Sequence, residues 1–175
     1  MNFRVLSLIL VILVAALSRL IPHAPNFTPI IAMGLFSGFY FKNNKTLGFA
    51  IVMGAMLLSD IVIGTYSATL MFFVYFGFAP SVLIGLMIPN DNYTTSFDNV
   101  LWGSLGGSIA FFLISNFGVF IIGYPKDISG LIACYTAAIP FFHNTLSSSL
   151  IFSTLIFLCY DVIRNNVPQL KSDIA

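Results

Sequence analysis

The chain has 175 residues, of which 58% are hydrophobic and only 7% charged, with a formal net charge of +1. Ordinary soluble domains carry about 25% charged residues, so a water-covered surface is excluded, and the mean hydropathy of +0.98 points to an all-α, polytopic membrane protein. The near-zero charge balance and the lack of any basic run argue against nucleic acid as a partner and leave membrane lipid as the surrounding medium.

A crossing helix needs about 20 apolar residues at ~1.5 Å rise to traverse a ~30 Å hydrocarbon core. Taken in order, the apolar runs predict spans at 3–21, 30–41, 46–64, 67–88, 100–123 and 144–163, a six-helix transmembrane bundle in one domain, 1–175. The first run has a signal-peptide pattern, with Arg4 before an apolar stretch and Ala16-Leu17-Ser18 as a cleavage site, but Arg19 would sit awkwardly at a new N-terminus, and a first span is preferred. The run 30–41 is too short to cross alone. So is 131–142, which contains Pro140 and reads as an interfacial or re-entrant piece, a form allowed only where protein or water satisfies the backbone.

Between the first two runs lies Pro22-His23-Ala24-Pro25-Asn26-Phe27-Thr28-Pro29. Each proline lacks an N–H and drives the residue before it toward extended geometry, so no helix continues here. An imidazole, an amide and a hydroxyl sit in this break between apolar runs. The expectation is a structured loop at a membrane face.

Six spans put both termini on one side. Arg4, Lys42, Lys45, Arg164 and Lys171 fall on that side and Arg19 and Lys126 on the other, which favours both ends in the cytoplasm of a cell inner (plasma) membrane. Small residues recur every fourth position, as Gly34 and Gly38, Ala50 and Gly54, Gly77, Ser81 and Gly85, and Gly103 and Gly107, and predict close helix packing within the chain.

An ionisable side chain within the bilayer is costly and marks a candidate site. Asp60 lies fifteen residues into an outward-running span, Arg19 at the outer end of the first, and Asn116 in the outer half of the fifth. His143 and Asn144 open the sixth span from outside, and His23, Asn26 and Thr28 lie in the first outer loop. Five segments thus place polar groups in one outer layer, with Phe27, Tyr135 and Phe142 as flat apolar walls. Each has a plainer reading: Arg19 and Asp60 as a neutralising pair, Asn116 bonding a backbone carbonyl, His143 and Tyr135 as interfacial side chains. Asp161 and Arg164 read as a structural pair near the inner end. No HExxH, GxSxG or phosphate loop occurs, Cys134 and Cys159 form no CxxC, and no cofactor or metal is implied.

Arg19-Leu20-Ile21-Pro22-His23-Ala24-Pro25-Asn26-Phe27-Thr28-Pro29, Leu58-Ser59-Asp60, Ser115-Asn116-Phe117-Gly118, Gly130-Leu131-Ile132-Ala133-Cys134-Tyr135 and Ala138-Ile139-Pro140-Phe141-Phe142-His143-Asn144-Thr145 resemble a bacterial membrane family of unknown function over nearly the whole chain. That family is in turn similar to the substrate-binding S components of energy-coupling factor (ECF) transporters. Where the family often has arginine, this chain has His143, and where it has Gly-Asp, this chain has Ser148-Ser149. The Ala-x-x-x-Ala motif common in the first helix of S components is absent. The resemblance implies a non-enzymatic component for uptake of a small polar or vitamin-like molecule, with an energising transporter module and its ATPase subunits as partner. Its binding residues would be Arg19, His23, Asn26, Phe27, Thr28, Asp60, Asn116, Tyr135, His143 and Asn144. Two other classes stay open: a small intramembrane enzyme using Asp60 with a histidine, and an accessory subunit whose polar layer only locks helices.

Overall fold

The computed structural model describes residues 3–89 and 95–167, with side chains from Val5 onward. The Arg4 side chain, the loop 90–94 with Asp91, and the tail 168–175 with Lys171 and Asp173 lie outside the described residues. Among the described residues the fold is all-α: α1 (Phe3–Leu17), α2 (Ile30–Tyr40), α3 (Lys45–Ile63), α4 (Ala68–Met87), α5 (Phe97–Gly123) and α6 (Ile128–Asn166). Single 3₁₀ turns, Ser18–Leu20 and Lys42–Asn44, follow α1 and α2. Four helical stretches are long and apolar enough to cross a membrane, Lys42–Ile63, Ala68–Met87, Phe97–Gly123 and Ile128–Asn166, while Val5–Leu20 and Ile30–Tyr40 are shorter apolar helices.

The bundle is built around α2. All of its residues from Ile30 to Tyr40 are buried, and it touches each of the other five helices. A helix apolar on every face has no side to offer water, so it goes to the centre. Its closest neighbour is α4. A Cβ on Gly34 would strike the Ser81 hydroxyl, one on Gly38 the Val82 carbonyl oxygen, and one on Gly85 the Leu35 carbonyl oxygen. Small residues therefore let these two backbones touch, which is how helices gain contact where lipid gives them no hydrophobic drive. Gly103 and Gly107 continue the seam from α5 onto Leu35 and Ile31. Gly54 meets nothing within 4 Å, so the Ala50–Gly54 pair does not take part.

Toward the C-terminus of α2, Phe36, Phe39 and Tyr40 pack on Phe157 and Tyr160 of α6, the Tyr40 and Tyr160 ring centroids lying 4.4 Å apart. The Tyr40 hydroxyl reaches Asp161 at 3.5 Å, and Asp161 lies 3.7 Å from Arg164. Lys42 donates to the Ile88 carbonyl at the C-terminus of α4. These contacts gather Lys42, Lys45 and Arg164 at one end of the bundle.

The segment 131–142 is not a separate piece, which corrects the sequence expectation. It and 144–163 belong to one α6 of 39 residues, with Pro140 inside. Asp127 caps its start, accepting from the Gly130 N–H and the Ser129 hydroxyl at 2.7 Å each, and these donors hold the Asp127 carboxyl below its ordinary pKa. Membrane helices tolerate an internal proline because neighbouring helices and local adjustment satisfy the freed carbonyl.

Candidate functional site

The loop 22–29 folds locally before it packs. Phe27 N donates to the Ala24 carbonyl at 3.0 Å, and Asn26 has φ 63°. Pro25 and Asn26 are thus the two central residues of a type II turn, where proline fixes the first φ and the second must be positive, a conformation asparagine accepts better than most residues. The turn is tied to α6 by the Asn144 amide donating to the Pro25 carbonyl at 3.0 Å and the Ser148 hydroxyl donating to the Asn26 carbonyl at 3.5 Å. The Phe27 ring sits edge-on to Phe152, with centroids 5.9 Å apart.

Beside the loop lies a buried ion pair. Arg19 Nη2 donates to Asp60 Oδ1 at 2.7 Å, and the two side chains are 10% and 3% exposed. The Tyr75 hydroxyl donates to Asp60 Oδ2 at 2.7 Å, so each carboxylate oxygen has a donor. Arg19 Nη1 donates to the Ser59 hydroxyl and, at 3.4 Å, to the Met56 carbonyl. The guanidinium thus clamps the C-terminal end of α3 to the end of α1, and Tyr75 adds α4. Gly64, at φ 111°, then stops α3 in a conformation open essentially to glycine, its N–H reaching the Asp60 carbonyl at 2.9 Å.

A cavity of about 230 Å³ lies between this pair and the loop. Arg19, His23, Asn26 and Thr28 supply its polar wall with Tyr66 and Thr145, and Ile31, Val74 and Phe111 supply apolar surface. Burial, reinforced by the nearby Asp60 charge, raises the Tyr66 hydroxyl above its ordinary pKa, so it remains a donor at neutral pH. A second cavity of about 290 Å³ shares Asn26 and is walled by Asn116, Tyr124, Cys134 and Phe141.

Four of the ten predicted residues, Arg19, His23, Asn26 and Thr28, therefore line the first cavity, and Asp60 stands behind it, holding Arg19. The others are placed differently. Asn116 lines the second cavity, its amide donating to the Phe112 carbonyl of its own helix at 2.8 Å. Asn144 and Phe27 hold the loop on α6. The Tyr135 hydroxyl donates to the Leu113 carbonyl at 2.6 Å and lines neither cavity. His143 is exposed on α6 and also lines neither, because a continuous helix turns it onto the outward face of Ile132 and Ile139. Tyr66, Tyr75 and Thr145 were not anticipated. Among the described residues no group of three or more histidine, cysteine or acidic side chains could hold a metal ion.

The arrangement is a helical bundle, apolar and long enough in four helices to cross a membrane, with a polar cavity against a buried ion pair in which Arg19 Nε is buried without a hydrogen-bond partner among the described residues. The chain belongs to the family described as Family of unknown function (DUF6580), which matches residues 1–170. No curated protein and no solved structure matches it.

Proposed function

We propose that this protein is a membrane-embedded binding component for uptake of a small polar or vitamin-like molecule. In this reading the six-helix bundle lies in the plasma membrane with both termini in the cytoplasm, and the cavity beneath loop 22–29 opens from the outer side. The observation that carries the reading is that cavity: a guanidinium, an imidazole, an amide and three hydroxyls converge from separate segments on about 230 Å³ of space inside an otherwise apolar bundle. Clefts for drug-sized ligands occupy about 300–1,000 Å³, so the ligand portion held here is small. The prolines and the Pro25-Asn26 turn preorganise the loop, which lowers the ordering cost of closing over a ligand.

Binding without catalysis is favoured by the state of Asp60. Both of its oxygens are taken by Arg19 and Tyr75, and no hydrogen bond joins it to a histidine among the described residues. The motif resemblance to a family similar to S components of ECF transporters implies a partner module with ATPase subunits; the sequence alone does not.

A thermal-shift screen of vitamins and small polar metabolites on purified protein tests the reading. A true ligand stabilises the fold by about 2.7 kcal/mol at a hundredfold excess over its Kd. Asn26→Ala and Thr28→Val are expected to weaken that stabilisation. A stabilising ligand indifferent to both changes binds elsewhere, and the reading then fails.

A further inference from the structure

The Arg19 guanidinium is bonded to one helix only. It carries five N–H donors and no acceptor. Among the described residues Nη1 donates to the Ser59 hydroxyl and the Met56 carbonyl, and Nη2 to Asp60, all on α3. Nε is buried and meets no acceptor there. It belongs to a side chain that is 10% exposed and lines the polar cavity. Folded proteins pair nearly all such donors, because a buried one left unpaired is costly. Whatever group is set against Nε must accept a hydrogen bond.

The rest of the wall selects the kind of acceptor. No acidic side chain lines the cavity, and Asp60 stands behind Arg19 with both oxygens bonded. An anion therefore meets no negative charge at the wall, and a cation finds no partner there. The Tyr66 hydroxyl keeps its proton at neutral pH and is available to donate. His23 Nδ1 lies 2.9 Å from the Ala24 carbonyl oxygen, which can only accept, so Nδ1 carries a proton and Nε2 is the nitrogen left for an occupant. Protonated, His23 brings a second positive charge to the wall, where Arg19 already shares its own with Asp60. A guanidinium suits a carboxylate in particular, in charge and in planar shape. Ile31, Val74 and Phe111 offer apolar surface to a short hydrocarbon body.

We propose that the ligand of this cavity is a small monocarboxylate, its carboxylate accepting from Arg19 Nε and the Tyr66 hydroxyl and its apolar body lying on Ile31, Val74 and Phe111. This rests on the binding role proposed above and names the chemical class of its ligand.

The probes are lactate, isovalerate and benzoate, each paired with its primary carboxamide and titrated by calorimetry into the full-length protein in phosphatidylcholine nanodiscs. At least one carboxylate is expected to bind about tenfold more tightly than its carboxamide, as a hydrogen bond to a charged group allows. Arg19→Lys keeps a cation for Asp60 but has no Nε–H of a guanidinium, and it is expected to erase that preference. Tyr66→Phe, at a residue that is 43% exposed, removes a donor without touching the ion pair and is expected to weaken carboxylate binding several-fold. It decides the matter alone if Arg19→Lys does not fold. Failure of all three carboxylates to bind, or equal binding of each carboxylate and its carboxamide, overturns the proposal. So does a preference for carboxylate that survives both substitutions. A neutral metabolite that stabilises the protein, loses its effect in Asn26→Ala and keeps it in Arg19→Lys and Tyr66→Phe also overturns it, while leaving the binding role standing.

Discussion

Asp60 is 2% exposed and has three neighbours that make its charge tolerable: Arg19 and Tyr75 on its oxygens and Ser59 beside it on the same guanidinium. Removing one member of a buried pair strands the other charge and costs about 3–5 kcal/mol, whereas removing both leaves no uncompensated ion. Asp60→Leu is therefore expected to destabilise the protein more than Asp60→Leu with Arg19→Leu, measured as unfolding in detergent or bicelles. Additive losses would show that the two residues do not act as a pair. Tyr75→Phe removes one hydrogen bond to a charged group and is expected to cost about 1.5–3 kcal/mol. The pairing of Arg19 with Asp60 was legible in the sequence, because charges in apolar runs have few places to go. The Tyr75 bond was not. A tyrosine in a membrane helix reads equally well as a belt aromatic, and only the approach of α4 to α3 reveals its acceptor.

Helix by helix, the signals that succeeded were those of backbone chemistry. The turn at Pro25-Asn26 and the close seam of Gly34, Gly38, Ser81 and Gly85 follow from which residues can hold a positive φ or lack a Cβ. The seam is testable by contrast. Gly38→Ala drives a methyl into the Val82 carbonyl and is expected to cost about 1–3 kcal/mol as overpacking. Gly54→Ala, with open space around it, is expected to be neutral or to stabilise by up to about 1 kcal/mol through helix propensity. Equal effects at the two sites would remove the seam as an explanation. Where the sequence misled was Pro140. Beside His143 and Asn144 it looks like a break, yet Cys134, Ala138, Thr145, Ser149 and Ser153, all buried, keep one helical phase straight through it. That unbroken stripe was the signal for a single α6, and it also assigns His143 to the opposite face.

For the bundle as a whole, cations and contacts sort consistently. Lys42, Lys45 and Arg164 gather where Tyr40 meets Asp161, and Arg19 lies at the far end of the helices with Asp60. Reporter fusions at Lys45 and after the last residue are expected to read cytoplasmic, and one at Lys126 external. A cytoplasmic signal at Lys126 would reverse the orientation and close the cavity to the outside. The six predicted spans fared less well: four helices are long and apolar enough to cross, because hydropathy measures aversion to water and is blind to whether lipid or protein provides the shelter. α2 shows the difference. With 11 residues it reaches only about 17 Å, and every side of it needs another helix. Its order of appearance during translation then matters. When 30–40 leaves the ribosome, the surface of α4 that receives Gly34 and Gly38 has not been made. With 11 residues the segment cannot cross alone, and its seam on α4 must await residues up to Gly85. The loop that precedes it waits longer, because Asn144 and Ser148 arrive later still. The polar chamber is therefore among the last features of the molecule to form, and a ribosome that stalls before α6 leaves a chain with hydrophobic helices and an open, incomplete cavity wall.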